Sequence, residues 1–207
     1  MQNIMLKAIH GLGKFGLDKL EYALAFGLAL AALLAFASGS IEMSRTWLTF
    51  LFRWLHVISG IMWIGLLWYF NFVQIPSMPK IPDEQKPAVG KVIAPTALFW
   101  FRWAALSTVV TGLILAGLQG YVLEAMLFGY FKGGMTTYIG IGMWLGLVMS
   151  YNVWMIIWPN QQKALGLVPA EDEEKKAAAR TAMLTSRFNT MFSIPMLYFM
   201  VAAQNLS

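Results

Sequence analysis

The chain has 207 residues, of which 58% are hydrophobic and only 12% charged. Soluble domains usually carry about 25% charged residues, so the composition excludes an ordinary soluble domain and points to an all-α integral membrane protein. The absence of cysteine excludes disulfides, thiolate metal sites and covalent haem c through Cys-x-x-Cys-His. The formal charge of +5 does not indicate a nucleic-acid partner, because the basic residues fall in segments flanking apolar runs.

Residues 1–21 interleave Ile4, Met5, Ile9, Leu12 and Phe15 with Lys7, His10, Lys14 and Lys19. No long apolar core precedes a small-residue cleavage site, so this is not a signal peptide. The expectation is a basic amphipathic or tail segment, ahead of a single transmembrane helical domain over residues 22–207. The first span is expected at about residues 22–38, rich in Ala, Leu and Gly and free of charge.

The second apolar run covers about residues 47–73, ample for the roughly 20 residues a bilayer core requires. It carries Arg53 and His56, which are costly to place in hydrocarbon. Arg53, His56, Gly60 and Trp63 recur at helical spacing and share one face. That face combines a cation, a titratable imidazole, a gap without a side chain and a large aromatic plane. Gly60 leaves space for a ligand or for a close helix.

Residues 74–95 hold Pro76, Pro79, Pro82, Pro87 and Pro95 among charged residues and are expected to be a loop. The third span, about residues 96–119, has Arg102 within the aromatic group Phe99, Trp100, Phe101 and Trp103. Arg102 reads either as an interfacial arginine in an aromatic belt or as a substrate-binding residue. Residues 121–131 are too short to span and read as an interfacial or re-entrant turn. The fourth span, about residues 138–158, ends at Pro159 and carries Ser150 and Asn152 in its later half. Residues 160–187 form a second polar stretch with a surface helix, and the fifth span covers about residues 188–203, with Pro195 near its middle.

Five spans place the termini on opposite sides. With the amino terminus inside, the inner segments hold Lys7, Lys14, Lys19, Lys80, Lys86, Lys91, Lys163, Lys175, Lys176, Arg180 and Arg187, against Arg45 and Lys132 outside. Eleven against two assigns a cytoplasmic amino terminus and a periplasmic carboxyl terminus. His56 then lies roughly 15 Å into its helix, on the outer side of the membrane middle.

Several blocks carry a family resemblance. Phe52-Arg53-Trp54-Leu55-His56 through Phe70-Asn71-Phe72-Val73-Gln74 resembles the membrane domain of the bacterial membrane-bound urate hydroxylase family, the urate oxidase N-terminal domain family. Phe101-Arg102-Trp103-Ala104 and Tyr151-Asn152-Val153-Trp154 with Ile157-Trp158-Pro159-Asn160-Gln161 resemble its later blocks. So do Ser186-Arg187-Phe188-Asn189-Thr190 and Ser193-Ile194-Pro195-Met196. The resemblance covers about residues 52–203. It implies a multi-pass protein of the bacterial inner (cytoplasmic) membrane with a redox association. Members of that family typically carry a longer membrane domain and a carboxy-terminal cytochrome c domain. This sequence contains neither, so the expected partners are the lipid bilayer and either other membrane redox subunits or a separate cytochrome c.

Within that expectation His56 is the candidate metal ligand, holding haem b through imidazole nitrogen. Arg53 would pair with a propionate, and Gly60 and Trp63 would flank the ring. A similar His-to-Trp-Gly pattern occurs in haem-binding membrane families such as the bacterial protoporphyrinogen oxidase type, an analogy only. The competing reading is a neutral His56 hydrogen-bonded to Asn152 or Ser193. Two functions follow. One is a redox enzyme of urate hydroxylase type, with Arg53, Arg102, Asn71, Asn152 and Asn189 as polar anchors and Trp63 or Trp154 stacking. Arg53 and Arg102 start from opposite membrane faces, so one site is not expected to use both. The other is a noncatalytic accessory subunit of a larger respiratory or photosynthetic membrane complex. The catalytic residues are unassigned in either case.

Overall fold

The structure is a computed structural model that describes residues 5, 11, 13, 16–131 and 133–206. The amino-terminal basic segment, with His10, lies largely outside the described residues, as does Lys132. The chain divides into two units, Met1–Trp47 and Leu48–Ser207.

The first unit contains α1, Leu20–Ala37, which has no buried residue. Beyond Glu21 and Tyr22 at its start its surface is apolar all round, and the helix is long and apolar enough to cross a membrane. Its end is closed by Gly39 at φ 67°. Ser40 N–H donates to Ala35 O and Gly39 N–H to Phe36 O, the paired bonds that cap a helix through a left-handed residue.

The helical run α2, Arg45–Lys80, starts where the Ser44 hydroxyl accepts the Trp47 N–H at 3.2 Å. The remaining elements of the second unit are α3 (Lys86–Gln119), α4 (Val122–Met126), α5 (Met135–Ala164) and α6 (Asp172–Asn205). The core joins Trp63, Leu67 and Phe70 of α2 to Leu98, Phe101 and Ala105 of α3. Met149, Val153 and Ile157 of α5 and Met196 of α6 complete it. In lipid such packing has no strong hydrophobic drive, so close fit and interhelical hydrogen bonds carry more of the specificity.

The prolines behave differently from the sequence expectation. Residues 74–95 are not a loop: α2 runs through Pro76 and Pro79, and α3 begins at Lys86, ahead of Pro87 and Pro95. Only residues 81–85 turn, closed by a 2.6 Å ion pair from Lys86 to Asp83. The helices survive by widening. Three π-helical segments occur among the described residues, at Tyr69–Gln74, Val89–Ile93 and Asn152–Ile157. Each ends two residues before a proline, at Pro76, Pro95 and Pro159. Proline lacks the N–H and crowds the carbonyl four residues back, and a wider turn relieves both problems.

Residues 160–187 are likewise mostly helical, turning only near residues 165–171. The fifth expected span is the carboxy-terminal part of the 34-residue α6. Four helical runs among the described residues are long and apolar enough to cross a membrane: Leu20–Ala37, Arg45–Lys80, Lys86–Gln119 and Met135–Ala164. α6 is not among them, because a charged first half and a polar buried stripe dilute its apolar run. Residues 121–131 form the short α4 and turns. Gly140 lets α4 rest on α5, since any Cβ there would strike the Ala125 carbonyl.

Candidate functional site

The expected Arg53-His56-Gly60-Trp63 face packs against α3. His56 Nδ1 lies 2.8 Å from the Thr108 carbonyl oxygen. That oxygen can only accept, so Nδ1 carries a proton, and in the neutral ring Nε2 then keeps its lone pair. Thr111 Oγ1 stands 3.5 Å from the same nitrogen. His56 therefore pairs with the neighbouring helix, as one reading held, but its partner is Thr108 rather than Asn152 or Ser193. One turn on, the Ser59 and Ser107 hydroxyls meet at 2.8 Å.

At Gly60 the neighbouring helix α3 comes near through Thr108. A Cβ there would lie 4.0 Å from the Thr108 methyl, ordinary contact distance. The glycine that makes room for the imidazole is Gly112 of α3. A Cβ there would stand 2.8 Å from His56 Cε1 and 3.0 Å from Nδ1. Trp63 is 1% exposed within the core, and its indole N–H has no acceptor among the described residues. Arg53 Nε is buried and without a hydrogen-bond partner there. Arg53 lies close enough to Tyr121 for its charge to act on the phenol: burial pushes the Tyr121 hydroxyl up, and the guanidinium pulls the other way.

An imidazole with Nδ1 tied to a carbonyl and Nε2 free is the arrangement found in metal-ligating histidines. The donor thus fits haem iron. At Gly60 the one atom within 4 Å of a would-be Cβ is the Thr108 methyl, at 4.0 Å.

A second polar group lies toward the other end of these helices. Asn152 Nδ2 donates to Asn189 Oδ1 at 2.8 Å, and Asn189 Nδ2 donates to the Met149 carbonyl at 2.9 Å. Asn71 Nδ2 donates to Ser186 Oγ at 2.8 Å and to the Leu67 carbonyl at 2.9 Å. Trp68 Nε1 donates to Ser193 Oγ at 3.0 Å. Ser186, Asn189 and Ser193 recur at intervals of three and four, so they form one stripe on α6. Asn189 and Ser193 are both 0% exposed. Asn71 and Asn152 each sit in a π-helical segment and reach this stripe from α2 and α5.

The structure therefore gathers three of the expected polar anchors, Asn71, Asn152 and Asn189. Arg102 has a different setting: its guanidinium carbon stands 3.7 Å from the centroid of the Trp158 ring and 5.6 Å from that of Phe99. Arg53 and Arg102 stay apart, as expected. Tyr121, beside Arg53, is 19 residues beyond Arg102 along the chain that forms α3, roughly 28 Å of helix.

The sequence reading did not single out Thr108, Gly112 or Trp68, and named Ser186 only within a family block. Ser186 and Ser193 had a readable signal, polar residues at helical spacing with Asn189 inside an apolar run. Thr108 acts through its backbone carbonyl, for which a sequence carries no mark.

No curated protein and no solved structure matches the chain. Residues 115–205 match the family model described as Urate oxidase N-terminal. The match takes in α4, α5 and all of α6, with Asn152, Trp158, Ser186, Asn189 and Ser193, and leaves Arg53, His56 and Arg102 outside it. Over residues 115–205, the carboxy-terminal helices, the chain is similar to the urate oxidase N-terminal family.

Proposed function

We propose that the chain is a multi-pass subunit of a redox assembly in the bacterial inner membrane, working beside separate electron carriers, with His56 as a ligand of haem b. The observation that supports this is the His56–Thr108 bond, which holds the neutral tautomer and leaves Nε2 free. Haem b, when bound, supplies one-electron transfer at its iron. His56 contributes the nitrogen ligand. Thr108 orients the ring and strengthens its basicity, and Gly112 gives the imidazole its place. Arg53, one turn away, supplies a positive charge for a propionate.

A specific observation favours an accessory role over substrate turnover by this chain alone. Asn152 and Arg102, the expected substrate anchors, are engaged with different partners: Asn152 gives its amide N–H to Asn189, and Arg102 stacks on Trp158. The asparagine network then serves to lock α2, α5 and α6 together. Electrons would leave through a separate cytochrome c or another membrane subunit.

Purification from native membranes tests this reading. Co-purification with redox subunits in fixed ratio, with a haem b spectrum that requires His56, is the expected result. Turnover of urate by the isolated chain with an added electron acceptor would instead establish a self-sufficient enzyme.

A further inference from the structure

Arg102 forms no ion pair among the described residues. Neither α3 nor α5 contains an Asp or Glu. The ion pairs formed among the described residues join Lys86 to Asp83 in the preceding turn and Lys175 and Lys176 to acids on their own helix, and do not include Arg102. The guanidinium lies on the Trp158 ring at 3.7 Å, so its π-face is satisfied. Its N–H donors lie in the plane of the group and remain available in a fork that matches paired phosphate oxygens.

The surroundings supply donors and aromatic planes. Trp154, one turn before Trp158, has a buried indole N–H with no acceptor among the described residues. Its ring meets Trp103 edge-on at 5.4 Å. Phe99, Trp100 and Trp103 are exposed on the outer side of α3. A site with unused donors and exposed apolar planes fits a ligand with an anionic head and an apolar body.

Depth fits as well. Arg102 stands six residues into its apolar run, roughly 9 Å. Helical side chains lean toward the helix amino terminus, and an arginine stem is long enough to carry its head back to the interface. Trp158 closes the apolar run of α5 just before Pro159, at the same level. We infer that Arg102 and Trp158, at the seam of α3 and α5, form a binding site for the phosphate of an anionic phospholipid, whose acyl chains lie along Phe99 and Trp103. This site does not depend on haem at His56.

The test is competition on the purified chain in mild detergent, read by native mass spectrometry. Phosphatidylglycerol should be retained over phosphatidylcholine by about fivefold, the equivalent of about 1 kcal/mol for one juxtamembrane cation. Arg102→Gln and Arg102→Lys should both abolish the preference, since lysine keeps the charge but loses the stack and the fork. Trp158→Phe should keep most of it, and circular dichroism should show that each variant is folded. The wild-type comparison needs no variant, so a folding failure leaves the test standing. Equal retention of the two lipids would overturn the inference. So would a full preference in Arg102→Lys, which would mean diffuse attraction. Displacement of the lipid by millimolar inorganic phosphate would show the site to be one for a soluble anion.

Discussion

Gly112→Ala and Gly60→Ala differ by one methyl each on facing helices, yet they should behave oppositely. At Gly60 the new Cβ would meet the Thr108 methyl at 4.0 Å, which needs no adjustment. Replacing a helix-interior glycine by alanine contributes up to about 1 kcal/mol, so Gly60→Ala should be neutral or mildly stabilising. At Gly112 the methyl would stand 2.8 Å from His56 Cε1 and 3.0 Å from Nδ1. The ring must move, and the 2.8 Å bond to Thr108 is lost or stretched. Overpacking costs about 1–3 kcal/mol, and the helical gain offsets about 1 of it, leaving a net loss of roughly 0–2 kcal/mol. The more sensitive readout is the haem spectrum of the assembly, because ligation depends on the orientation of the ring. Gly112→Ala should lose most of the Soret absorbance while remaining inserted, and Gly60→Ala should retain it. Thermal unfolding followed by circular dichroism gives the stability difference. If the two variants match in both stability and spectrum, the placement of His56 against Gly112 is wrong.

Other consequences can be checked independently. In a double-mutant cycle of Asn152→Leu and Asn189→Leu, denaturant unfolding should give a coupling of about 0.6–1.7 kcal/mol, the range for interhelical bonds in membranes; additivity would contradict the network. Pro159→Ala restores a backbone N–H and removes the reason for the wide turn over Asn152–Ile157. Asn152→Leu should then cost little more in that background, and an undiminished cost would show that the π segment does not depend on the proline. A reporter fused after Ser207 should be active on the outer side of the membrane, as five spans and the charge asymmetry predict; activity only in the cytoplasm would mean that the number of spans is even.

Helix positions were legible in the sequence because apolar runs of membrane length have few alternatives. Their true lengths were not. Pro76, Pro95 and Pro159 read as stops, whereas each is carried by a π-helical turn in a longer helix. Sequence rules derived from water overstate the breaking power of proline where neighbouring helices hold the segment. Asn71, Asn152 and Asn189 could be named as polar anchors because amides in apolar runs are costly. Their pairing could not, since it depends on which face the π segments turn toward α6. For His56 the stripe with Gly60 was legible, but the glycine that seats the imidazole was not. The compensating glycine, Gly112, lies on another helix, 56 positions away in sequence.

The measurement that bears most directly on the proposed role is the visible spectrum of the assembly purified from its native membrane. It should be recorded oxidised and dithionite-reduced, for the wild type and for His56→Leu. The account predicts a Soret band with reduced haem b features in the wild type and their loss in His56→Leu, with the chain still inserted and assembled. A wild-type assembly without a Soret band, or an unchanged spectrum in His56→Leu, would contradict it and leave the His56–Thr108 bond as a tie between two helices.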